Sequence, residues 1–114
     1  MKYAVEYALK APMGGVKLTG GRLKKAFDNN VSFLKGFDVD RMLYWYRVHQ
    51  GKPAPGVPYA SDAGHFENNL KGQTAGEFMM GAGASLLWGE DAELRGMVRR
   101  LLDCIEAGRE SDGF

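Results

Sequence analysis

The densest set of chemically able side chains lies between positions 65 and 77, where His65, Glu67, Asn68, Gln73 and Glu77 follow one another closely. Two carboxylates and an imidazole are the groups that general acid–base chemistry uses, and carboxylates and amides also hydrogen-bond ligand hydroxyls. Gln73 and Glu77 stand four residues apart, which places both on one face of a helix near its N-terminus. A plainer account of the same residues has Glu67 capping or pairing locally, Glu77 meeting an arginine and His65 resting in a loop. The spacing alone leaves both accounts open.

Other candidates are thinner. Tyr44, Trp45, Tyr46, Tyr59, Phe66 and Trp88 offer faces on which a sugar ring stacks, although such rings more often fill a core. Cys104 is the single cysteine, so no internal disulfide forms. With only His49 and His65 beside it, the chain lacks the thiolates that a cysteine-type structural zinc site needs. Arg100 one turn away could lower the thiol pKa, but a small half-buried thiol is the ordinary case. No phosphate loop, dinucleotide glycine pattern, serine nucleophile elbow or His-Glu metal motif is present.

Helices must position these groups. Leu23, Ala26, Phe27, Asn30, Val31 and Leu34 recur at helical spacing from Arg22, and Gly36 fits a stop. Asp38 can cap a second helix with Val39, Met42, Leu43 and Tyr46 as its apolar stripe and Gly51 as its end. Residues 52–69 hold Pro53, Pro55 and Pro58 and read as a long loop, and loops of that length are commonly functional. From Lys71 to Trp88 no charge follows Glu77, and the run predicts a buried helix despite its glycines. The last segment has an acidic first turn at Glu90, Asp91 and Glu93, then the stripe Leu94, Met97, Val98, Leu101, Leu102 and Ile105, and Gly108 as its stop. An apolar helix followed by an amphipathic one is what a layered all-α structure produces, with inner helices enclosed and outer ones wet on one face. Met1–Gly21, interrupted by Pro12 and several glycines, reads as an irregular lead-in to a helical domain spanning 22–114.

The 114 residues suit one domain, and 45% hydrophobic with 25% charged residues is a globular composition. The net charge of +1 divides unevenly, with ten Lys and Arg against four Asp and Glu up to Val57 and five against ten after it. That is a charge split rather than the clustered basic face of a nucleic-acid binder, so no nucleic-acid partner is expected. Glu6 interrupts the stretch where a signal peptide is apolar, and no run approaches the roughly 20 apolar residues of a membrane span. A cytoplasmic protein with no membrane partner is the expectation.

Taken in order, several segments resemble a known family. They are Val16-Lys-Leu-Thr-Gly-Gly-Arg-Leu, Phe37-Asp-Val-Asp-Arg-Met-Leu-Tyr-Trp-Tyr-Arg, Gly64-His-Phe-Glu, Leu70-Lys-Gly-Gln-Thr-Ala-Gly-Glu-Phe, Trp88-Gly-Glu-Asp and Arg109-Glu-Ser-Asp-Gly-Phe. Together they resemble the start of the β-L-arabinofuranosidase-type glycoside hydrolases of family 127 and the related family 146, over about Val16 to Phe114. The resemblance implies an (α/α)6 toroid with a sugar bound at the mouth of its inner helices, and a substrate-binding role for His65, Glu67, Gln73 and Glu77. Phe66 stands where the family has Trp, and Gln73 and Glu77 stand where it has a pair of His. The resemblance further implies a glutamate acid/base and a zinc-held cysteine nucleophile. Those lie downstream of the matched stretch, so neither a catalytic residue nor zinc is expected within this chain.

The fold class expected is therefore all-α, with about four helices in antiparallel hairpins that resemble the first third of a toroid and are completed by self-association. The function expected is that of an N-terminal piece of such a hydrolase, binding carbohydrate without turnover. The alternatives are a free-standing helical interaction module that self-associates, and a small enzyme built on Glu67, Glu77 and His65.

Overall fold

The computed structural model describes residues 15–62 and 71–111, and these residues form helices and no strand. Five α-helices follow one another: α1 (Gly21–Lys35), α2 (Val39–Met42), α3 (Tyr44–His49), α4 (Gln73–Trp88) and α5 (Ala92–Glu106). A single 3-10 turn, Ala60–Asp62, lies in the proline loop. The all-α expectation holds for the described residues. The second helix is, however, two short ones, divided at Leu43, which caps α2 and opens α3.

The starts and stops follow local chemistry. Asp38 caps α2 by accepting from the Asp40 and Arg41 amides at 2.8 and 3.3 Å. Asp91 caps α5 by accepting from the Leu94 amide at 2.9 Å. Both satisfy backbone donors that have no partner inside the helix. Gly51, with φ at +65°, ends α3 in a backbone conformation that residues with a Cβ rarely adopt.

The helices α1, α4 and α5 pack pairwise on one another, and α5 also touches α2 and α3. The core is Leu34, Val39, Met42, Leu43, Ala75, Phe78, Ala82, Leu94 and Leu101. Phe37 extends it, with its ring 5.8 Å from Phe78, 5.5 Å from Tyr59 and 5.3 Å from Phe33. The stripe read for α1 is too long. Leu34 is buried and Phe27 and Val31 are half-buried, but Leu23, Ala26 and Asn30 are exposed.

Ion pairs tie the helices at their ends. The Lys35 ammonium lies 3.1 Å from Asp91 and 3.2 Å from Glu93, joining the end of α1 to the start of α5. Asp40 receives Arg47 at 2.7 Å and Arg100 at 3.0 Å, joining α2, α3 and α5. The Leu94 amide and then Lys35 hold the Asp91 carboxyl below the usual carboxylate range, and hydrogen bonds to Asp91 and Glu93 raise the Lys35 ammonium.

The Asp91 contribution is present above the ordinary carboxylate pKa of about 3.9 and is lost as pH falls through its lowered folded value. The Lys35 contribution is present below about 10.4 and is lost as pH rises through its raised folded value. The difference in urea midpoint between the wild type and Lys35→Met is therefore widest between about pH 4 and 10. It should narrow on both sides and shrink with added salt, because the pair faces solvent.

Candidate functional site

Gln73 and Glu77 occupy the first two turns of α4, both exposed, and the Gln73 Nε2 donates to Glu77 Oε1 at 2.8 Å. The expected shared face is therefore present, and Glu77 meets this amide rather than an arginine. Among the described residues this bond engages one Glu77 carboxylate oxygen, and the Gln73 side chain has a second amide hydrogen and a carbonyl oxygen able to bond a ligand. His65, Glu67, Asn68 and Phe66 lie outside the described residues.

The start of α4 is fixed from a distance. Its N-cap is Gly72, with φ at +90°, and no side chain at that position caps it. Asp62, 1% exposed, supplies the cap instead, its Oδ1 accepting from the Thr74 amide at 3.2 Å. The Ser61 and Thr74 hydroxyls share a hydrogen bond at 2.6 Å beside it. The Trp45 indole N–H donates to the Asp62 carbonyl at 2.7 Å, and the Lys71 ammonium lies 4.5 Å above the Trp45 ring. Trp45 thus holds both residues that flank the segment carrying His65 and Glu67.

Gly72 cannot be replaced cheaply, for the backbone conformation and for space. A Cβ there would come within 2.6 Å of the Tyr46 hydroxyl. Tyr46 belongs to a second feature that the sequence does not reveal, a groove of about 730 Å³ between α3 and α5 that Lys71 and Gly72 help to line. Trp45, Tyr46, Leu102 and Ile105 contribute its apolar surface, and Gln50 spans its wall by donating to the Cys104 carbonyl at 2.8 Å. The rim carries both signs of charge, with Arg99 and Arg109 against Asp103 and Glu106. A mixed rim around an apolar floor suits contact with another surface better than acid–base chemistry.

The remaining candidates resolve simply. Tyr59 accepts from the Asp38 amide at 2.8 Å, and its ring lies 4.1 Å beneath the Arg41 guanidinium, so both its hydroxyl and one ring face are engaged within the fold. Trp45 and Tyr44 meet edge to face at 5.1 Å. Cys104 is a half-buried free thiol. Among the described residues no three His, Cys, Asp or Glu side chains are grouped as a metal ion requires. No helix among them is long and apolar enough to cross a membrane.

Two measurements test these contacts. Asp62→Ala should lower the unfolding free energy by about 2 kcal/mol while Asp62→Asn keeps most of it, because asparagine also caps, as read by urea denaturation. Burial pushes the Tyr46 phenol above its ordinary value of 10.0, with the Asp62 charge adding to the effect. The neutral phenol is the form that the fold favours, so stability falls as pH rises past that ordinary value toward the raised one. Tyr46→Phe should remove absorbance from the high-pH end of a phenolate titration. Comparison with family models, with characterised proteins and with solved structures finds no match to this chain.

Proposed function

We propose that the chain is the N-terminal part of a β-L-arabinofuranosidase-like glycoside hydrolase, in which His65, Glu67, Gln73 and Glu77 form one wall of the carbohydrate site. The observation that supports it most is the character of α4. This helix carries one charge, Glu77, along its whole length, yet only the side bearing Thr74, Ala75, Phe78, Ala82 and Ser85 is buried. Helices that work alone against solvent are amphipathic, as α5 is, whereas a helix apolar all round belongs to an interior. An inner helix of an α/α toroid has that character, and its end at the toroid mouth faces the sugar.

The polar end of α4 suits that place. Glu77 accepts from sugar hydroxyls while the Gln73 amide steadies it, a charge-assisted contact stronger than a neutral one. The Gln73 side chain does not titrate near neutrality as a histidine does, so its contribution to binding is independent of pH there. The chain contributes binding and orientation, and the acid/base glutamate and zinc-held cysteine belong to the part of the enzyme downstream.

A second reading, a self-associating helical interaction module, draws on the exposed Phe33, Met80 and Leu87. Titration of the chain with a methyl arabinofuranoside, followed by NMR shifts, separates the two. Saturable binding is expected, weakened about tenfold by Glu77→Ala, which is the loss of one hydrogen bond to a charged group, and less by Gln73→Ala. No hydrolysis should follow, with zinc or without it. Robust zinc-dependent turnover by the chain alone, or binding indifferent to Glu77→Ala, overturns the proposal.

A further inference from the structure

Lys71, Gly72 and Thr74, at the start of α4, are each met by side chains from outside that helix. The Lys71 ammonium lies 4.5 Å over the Trp45 ring, and Gly72 lies so close to the Tyr46 hydroxyl that a Cβ there would come within 2.6 Å of it. The Thr74 amide donates to Asp62 Oδ1 at 3.2 Å, and the Thr74 hydroxyl shares its 2.6 Å hydrogen bond with Ser61. Gln73, among them, is exposed and donates to Glu77. It is the first residue of α4, where a helix frays most readily, and its side chain meets Glu77 one turn on only while that first turn is helical. Gly72 has no side chain to cap the turn, so the cap depends on Asp62.

We propose that Trp45 of α3 is the positioning residue for the Gln73–Glu77 pair. Its indole N–H donates at 2.7 Å to the carbonyl of Asp62, the residue whose carboxylate caps α4, and its ring lies beneath Lys71, two residues before Gln73. The half-buried indole thus grips the backbone on one side of this turn and a side chain on the other. The two bonds of the relay differ in slack. The Trp45 bond is short, whereas the 3.2 Å bond from the Thr74 amide to Asp62 is already at the long end for an N–H donor and tolerates little further retreat of the carboxylate. Removing the indole N–H therefore loosens Asp62, frees the Thr74 amide, and lets the first turn open and part Gln73 from Glu77. That the positioned pair meets a sugar rests on the carbohydrate reading, while the dependence of the pair on Trp45 does not.

NMR of the full chain reads the pair directly. The Gln73 side-chain amide signals should move as Glu77 is protonated, a movement that Glu77→Gln abolishes. Trp45→Phe keeps a ring beneath Lys71 and removes the N–H, so it should reduce that movement at least about twofold and speed exchange of the Thr74 amide about fivefold, the equivalent of one hydrogen bond. Lys35→Met breaks the ion pair between α1 and α5 instead, and should leave both readings at their wild-type values. Full movement in Trp45→Phe, or an equal loss in Lys35→Met, overturns the inference. If Trp45→Phe does not fold, Lys71→Met at an exposed position decides, and full movement there overturns it. Where the wild type binds methyl arabinofuranoside, Trp45→Phe should weaken binding about fivefold, and unchanged binding overturns the inference. A wild type that binds no arabinofuranoside, while the Gln73 movement still depends on Trp45, removes the carbohydrate reading and leaves the positioning role standing.

Discussion

The arrangement of this chain depends on one buried carboxylate. Asp62 sits at the N-terminus of α4, where aligned peptide dipoles and unpaired amides favour negative charge, and it provides a cap that the local sequence of α4 lacks. The same residue accepts the Trp45 indole N–H through its carbonyl. One residue therefore joins α3, the 3-10 turn and α4. Lys71, set over the other side of the arrangement on the Trp45 ring, completes the tie.

The charge split in the sequence becomes intelligible through the ion pairs. Lys35, from the basic first half, meets Asp91 and Glu93 from the acidic second half. Asp40 works in the opposite sense, holding Arg100 of α5 as well as its near neighbour Arg47. Pairs this exposed contribute little energy each. Their value is directional, since they fix which helix end lies beside which, and Asp91 does so while capping its own helix.

What was legible in the sequence was local. Asp38 and Asp91 act on amides two or three residues away, and Gln73 meets Glu77 one turn on, so short-range spacing reveals them. Asp62 acts on Thr74 across the loop, and nothing in its own neighbourhood marks it as a helix cap. The division at Leu43 is equally hidden, because the apolar stripe runs unbroken through it. The groove escapes for the same reason, since Tyr46, Lys71 and Ile105 meet there only once α3, the start of α4 and α5 are assembled. Periodicity extends the buried stripe of α1 to Leu23 and Ala26, but it does not say how far along α1 its neighbours reach.

The glycines of α4 carry the argument further than its apolar residues do. Each interior glycine costs about 1 kcal/mol relative to alanine, a cost that close packing normally offsets. At Gly81 a methyl group would already touch Leu34 of α1, so close approach within the chain accounts for that one. At Gly76 and Gly83 a methyl group would meet nothing, and no contact among the described residues offsets either glycine. Both lie on the face shared with Met80 and Leu87, where exposure is highest. The cost of these two glycines therefore falls on the packing of α4 against α1 and α5 as a whole.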